Sequence, residues 1–187
     1  MIRFFVWDFP KLHVMNIIEA KLDKSDYEIY DDFLNINIDG EWLDEKLGQL
    51  YPDEMYKGTI PTLLFATEVD TESKIVWNRI FPDLNAKTVC PILMCPDDND
   101  FSCTLIIAEI ENNGKCITWN RLGVDITKDW DPEKIGSEVR WFDGILPFQF
   151  TMDTYSSMIQ AFKEQFLIDE ANYVKRNKEW LEKNKGN

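Results

Sequence analysis

The chain has 187 residues, 44% of them hydrophobic and 29% charged. These are ordinary proportions for one globular domain with at most an appendage, and a chain of this length buries roughly 70% of its unfolded surface without help from a disulfide or metal. Twenty basic residues stand against 34 acidic ones, a formal charge of −14, which argues against nucleic acid or an anionic membrane as partner, since both are bound through Lys and Arg clusters.

Residues 2–7 read as a short apolar strand, cut off by Asp8 and Pro10 before it reaches the length of a signal or transmembrane segment. A cytoplasmic protein with reduced thiols is therefore expected. Residues 12–20 carry apolar side chains on both faces and lean to strand. The run 33–38 alternates, with Leu34, Ile36 and Ile38 on one face, and Asp39-Gly40 breaks it. Asp39 is expected to cap a short helix over 41–50, whose inner stripe is Leu43, Leu47 and Leu50 and which Pro52 ends. After a polar loop, 62–67 reads as strand and 74–81 as either strand or helix. Pro91 within the apolar run 89–94 predicts an edge position or a bulge.

The strongest local signal is a hairpin over 104–122 around Asn113-Gly114, the dipeptide favoured by a type I′ turn. With those two residues as the loop, Ile110 faces Ile117 and Ala108 faces Trp119. Ile106, Ala108, Ile110, Ile117 and Trp119 then share a core face, and Glu109, Glu111, Thr118 and Asn120 the other. Residues 124–145 form a long Asp-rich connection containing Trp130 and Trp141, and long connections are often functional. Pro147-Phe148-Gln149-Phe150 is extended. Thr151 is a good N-cap for a helix from about 152, with Asp153 in its first turn and Tyr155, Met158, Ile159, Phe162 and Phe166 as its apolar stripe. From Asp169 the sequence is polar nearly all round, so 1–168 reads as one domain and 169–187 as a helical extension. The hexamer 75–80 echoes 117–122, but six residues are too few to define a repeat.

Candidate chemistry centres on Cys95-Pro96-Asp97-Asp98-Asn99-Asp100-Phe101-Ser102-Cys103. An EF-hand count from Asp98 puts Cys103 where glycine is required and Glu109 inside a strand, so the loop is not an EF-hand. The intervals separating Cys90, Cys95, Cys103 and Cys116 match no structural zinc pattern, although four thiols from adjacent strands can still meet in space. The plainest reading is an Asp/Asn turn with the cysteines as small apolar residues. The single histidine, His13, makes a nucleophilic triad implausible, and no phosphate-binding glycine motif occurs. No cofactor is expected. Trp7, Trp42, Trp77 and Trp119 fall in core elements. Trp130 and Trp141 either pin the long connection or, if exposed, anchor an interface.

Taken in order, Ile38-Asp39-Gly40, the Cys95–Cys103 loop, the Trp119 strand and Pro147-Phe148-Gln149-Phe150 leading through Tyr155 into a helix resemble the pattern of a group of small bacterial proteins. In that group an I-D-G strand end, a cysteine-bounded loop, a Trp strand and a P-F-x-F-x-x-x-x-Y helix start follow one another. The likeness covers roughly 36–166. It implies no reaction, and by analogy it points to the immunity proteins of toxin systems.

The sequence thus specifies an α+β fold: a mainly antiparallel sheet of five to seven strands, a short helix near 41–50 and a C-terminal helix from about 152. The expected function is binding of a basic protein partner, without nucleic acid or membrane, through Asp97, Asp98, Asp100, Trp130 and Trp141. The alternative is a metal-binding module, or a metal-dependent enzyme, using the Cys95–Cys103 loop. No oligomeric state is implied.

Overall fold

The computed structural model describes residues 15–24, 32–64, 70–97, 100–129 and 131–184. The expected strand at 2–7, His13, Asp98 and Trp130 lie outside them. The alternating run at 33–38 becomes β2 (Phe33–Ile38), which pairs antiparallel with β1 (Ile18–Asp23), Ile18 opposite Ile38 and Ala20 opposite Ile36. Ile18, Ile36 and Ile38 are buried as the alternation requires. The other face of β2 is also covered, and it is polar. Buried Asn35 donates to Asp23 (2.9 Å) and to Asp44 (3.2 Å), and Asp44 accepts from the Gly58 N–H (2.9 Å). Buried polar groups are tolerated when they are paired in this way.

Asp39 does not cap the following helix. It sits at φ 55° ahead of Gly40 at φ 89°, and its carboxylate accepts from the Asn16 side chain (2.6 Å) and the Ile17 N–H (2.8 Å). This tight turn sends the chain back along β2 as β3 (Glu41–Trp42). Helix α1 (Leu43–Leu50) therefore starts late, with Trp42 at its cap position and no side-chain cap. Leu43 and Leu47 are buried, whereas Leu50, in the last turn, is 44% exposed and leaves the predicted stripe.

The larger sheet has the order β4-β5-β6-β7-β8, with β9 also paired to β7. The strand expected at 62–67 is only β4 (Ile60–Pro61), followed by a turn; residues 65–67 are not described. The ambiguous run at 74–81 is mostly helical, within α2 (Asp70–Arg79). The hexamer echo consequently joins a helix to a strand, which settles it as coincidence. Pro91 does mark a bulge: in β5 (Ala86–Met94) the register against β6 (Leu105–Asn112) shifts between Pro91 and Leu93.

The hairpin forms with its predicted core face but in a different register. β6 pairs with β7 (Cys116–Asp125) so that Asn112 faces Ile117 and Ile110 faces Trp119. The turn residues are Gly114-Lys115, and only Gly114 has positive φ (80°), as a type II′ turn requires. Asn112 and Asn113 instead use their side chains as turn acceptors, taking the N–H groups of Gly114, Lys115 and Cys116. The displacement is even, so the buried face survives. A bulge then returns Leu122 and Val124 to the core face after Asn120 and Arg121 have both been kept out of it.

The connection over 124–145 is not unstructured. β7 runs to Asp125, a single 3-10 turn covers Pro132–Lys134, and β8 (Val139–Trp141) folds back onto β7 with Gly123 opposite Trp141. Next, β9 (Phe148–Thr151) pairs with the start of β7. Thr151 caps α3 (Met152–Asn184) as its sequence predicts, its Oγ1 accepting from the Thr154 N–H at 3.1 Å. Tyr155, Met158 and Phe162 enter the core, and Ile159 and Phe166 are half-buried. At the centre, the Trp119 Nε1–H donates to the Tyr155 hydroxyl (3.2 Å), which donates to the Ile80 carbonyl (2.7 Å). One side-chain relay thus ties β7, α3 and the end of α2 together.

Candidate binding surface

The Cys95–Cys103 loop joins β5 to β6 and closes on the first turns of α2. Phe101 is buried, and its N–H donates to Glu72 Oε2 at 3.2 Å. Glu72, which the sequence reading overlooked, is itself buried. Desolvation pushes its carboxyl above the usual range and the Asp100 charge pushes the same way, while the Phe101 bond offsets part of the shift. Asp100 accepts from the Ser102 N–H and hydroxyl, which leaves Asp97 as the exposed acid of the described part of this loop.

A raised carboxyl binds its proton more readily in the folded state than in the unfolded one, so Glu72 makes stability fall as pH rises through the window above its ordinary pKa. Glu72→Gln keeps an acceptor for Phe101 and removes the charge. We expect the variant to be at least as stable as the wild type at pH 7, with the difference vanishing at pH 4 and below. Thermal unfolding across that range measures it; a variant less stable at pH 7 than at pH 4, relative to wild type, would contradict the assignment.

The four thiols do not assemble. Cys90 is fully buried beneath α2, 3.8 Å from the Val76 carbonyl, and burial pushes its thiol far up. Cys116 lies under the hairpin turn beside Asn113. Cys95 is half-buried and Cys103 exposed. Among the described residues no group of three or more His, Cys, Asp or Glu side chains is placed to hold a metal ion.

Trp141 has a different setting. The Arg121 guanidinium lies over its ring at 4.0 Å and pairs with Glu109 at 2.9 Å. The indole is thus the end of an ordered row, Glu109-Arg121-Trp141, running across β6, β7 and β8. Its neighbour Phe142 points the other way and is buried against Tyr51 (4.7 Å, stacked) and Tyr56 (5.3 Å). Arg140 donates to Glu54 (3.1 Å) and to the Tyr56 hydroxyl (3.2 Å), and the Gly144 N–H donates to the Tyr51 hydroxyl (3.1 Å). Leu50, Tyr51, Arg140, Trp141, Phe142 and Asp143 line an open cleft of about 280 Å³. The hydroxyl of Tyr56 is held above its ordinary range, chiefly by burial.

Those of the predicted contact residues that are described therefore do not converge. The acidic loop is bound to α2, on the side of the sheet that Cys90 faces, whereas Trp141 stacks with Arg121 beside Glu109, on the opposite side. The tyrosine pair and Arg121 were not foreseen. Their one advance signal is the alternation Val139-Arg140-Trp141-Phe142, which marks a strand where a loop is expected.

The arrangement is that of an α+β domain with a charged sheet face that the segment around Gly136 partly covers, an aromatic cleft at its β8 edge and a separate acidic loop. In comparison with known proteins, the chain matches no family model, no curated sequence and no solved structure.

Proposed function

We propose that this is a non-enzymatic binding protein, an acidic inhibitor of the immunity type that neutralises a basic protein partner. The observation that carries the reading is how the charge is distributed. Arg79, Arg121 and Arg140 are each committed to an internal carboxylate, as are Lys21, Lys46, Lys57, Lys87 and Lys134. Among the described residues, exposed Asp53, Asp83, Asp97, Asp131, Glu138 and Asp143 stand in no such pair, and neither do Lys74, Lys115 and Lys128, so the acids remain in excess. With a formal charge of −14, the unneutralised surface is anionic. Such a field steers a basic partner and rejects acidic ones.

Two surfaces qualify for contact, and they make different predictions. The cleft beside Trp141 offers aromatic area with Asp143 at its rim, the composition of an interface anchor. The Cys95–Cys103 loop offers Asp97 and Asp100 without an aromatic neighbour of comparable exposure. We assign the anchor to the cleft and steering to the loop.

The test is purification of the tagged chain from a bacterial host at low salt, identification of the co-purifying protein, and calorimetry with that protein. Trp141→Ala is expected to weaken binding by about 2 kcal/mol, mainly through faster dissociation. Asp97→Asn with Asp100→Asn is expected to slow association several-fold and to flatten its salt dependence. A partner bound equally well, and equally fast, by both variants would remove both assignments.

A further inference from the structure

We propose that Cys95 and Cys103 form a reversible intramolecular disulfide that closes the acidic loop, making this loop a thiol-modification site in an otherwise reduced protein. The argument begins with the ladder. β5 and β6 end with Met94 opposite Leu105, and one step further the Cys95 N–H donates to the Thr104 carbonyl at 3.0 Å. Cys103 follows Thr104 directly, so the two cysteine backbones sit one residue off a direct cross-strand pair. For antiparallel strands that places their Cα atoms about 6 Å apart, inside the span a disulfide bridges. In a regular sheet a one-residue offset would aim the side chains to opposite faces. Here the pairing has ended and Cys103 lies in a bend, which frees its side chain from the pleat. The Cys103 thiol lies near enough to help hold the Cys95 thiol above its ordinary range, after the larger effect of desolvation.

The other thiols do not compete. Cys90 is enclosed beneath α2 and Cys116 lies at the far end of the β6-β7 hairpin. The exposures also assign the roles. Exposed Cys103 meets the oxidant first, and half-buried Cys95, whose thiol is held up chiefly by desolvation, resolves the product. The oxidant is a low-molecular-weight disulfide of the glutathione class. The Cys103 thiolate attacks one of its sulfurs, forming a mixed disulfide and releasing one small thiolate. Cys95 gives its proton to water and its sulfur attacks that of Cys103, releasing the second small thiolate. Two protein thiols are oxidised to one disulfide, and one small disulfide is reduced to two thiols. The bridge fixes the loop that presents Asp97 and Asp100.

The experiment is equilibration of the folded full chain with mixtures of reduced and oxidised glutathione, followed by acid quench, alkylation and intact mass. Digestion at Lys and on the N-terminal side of Asp separates Cys95 from Cys103, and fragmentation distinguishes Cys95 from Cys90. The expected product is a chain lighter by two hydrogens, carrying a Cys95–Cys103 linkage with Cys90 and Cys116 still alkylated after unfolding. Cys95→Ser should instead accumulate one glutathione on Cys103, and that adduct should be absent from Cys103→Ser. Circular dichroism of both variants establishes that they are folded. A stable glutathione adduct on wild-type Cys103 with Cys95 still free would overturn the proposal, as would a bridge that forms only in denaturant.

Discussion

Trp119→Ala is expected to destabilise the protein by about 3–5 kcal/mol, the range for deleting a fully buried large aromatic side chain. Trp119 has no exposed surface, packs edge-on against Phe150 (5.4 Å) and Tyr155 (6.3 Å), and donates its Nε1–H to the Tyr155 hydroxyl. The replacement therefore removes packing and strips a buried hydroxyl of one partner. Tyr155→Phe isolates the polar part. It keeps the ring but leaves the Ile80 carbonyl and the Trp119 N–H unpaired, at a cost of about 1–3 kcal/mol for each group orphaned. The two changes should be strongly non-additive because they share one relay. Urea unfolding of both variants and of the double variant measures this, and simple additivity would mean that the relay does not hold β7, α3 and α2 as a unit.

Gly123→Ala is expected to cost about 3 kcal/mol through overpacking, near the upper end for such changes. A Cβ at this position would come within 2.6 Å of the Arg140 carbonyl, 2.7 Å of Val139 Cγ1 and 2.9 Å of the Trp141 Cα. Two of those atoms are backbone of the paired strand and cannot swing aside, so β8 must lift from β7. The same change should disturb the Arg121-Trp141 stack and the cleft beside it, because both depend on β8 lying flat. Amide hydrogen exchange over 139–142 is the discriminating readout. Rapid exchange there, with β5 and β6 still protected, is the expected pattern. Uniform loss across the sheet would show that β8 is integral to the core rather than an apron on its edge.

What the sequence made legible follows from periodicity and turn chemistry. The alternation at 33–38, the hairpin core face and the capped helix from 152 all appear as expected, since each is a local pattern reinforced by burial. The hairpin register differs by two residues from the expected one because two adjacent asparagine side chains take over the turn N–H groups, and this lets glycine serve as the first turn position. Asp39 has the residue type of a helix cap, but a remote segment, Asn16 and Ile17, claims its carboxylate. Local propensity carries no information about such a partner.

The candidate surface was less legible for a related reason. Trp141 was singled out by residue type, but its cation partner Arg121 and the row continuing to Glu109 depend on three strands meeting in a register that no single segment encodes. Glu72 was invisible because an exposed-looking acid at the start of a helix is the ordinary expectation. In the fold it is buried and accepts from the Phe101 N–H of a loop remote in sequence. The Cys95–Cys103 loop and the connection that carries Trp141 are both Asp-rich in sequence, yet the sheet lies between the loop and Trp141.

The central claim, an anionic surface built to hold a basic partner, is tested most directly by the affinity for the co-purified protein as a function of ionic strength. Between 50 and 500 mM salt the account predicts a loss of at least tenfold, with the change mainly in the association rate, as screening over about a Debye length requires. A partner of acidic charge, or an affinity indifferent to salt over that range, would contradict it.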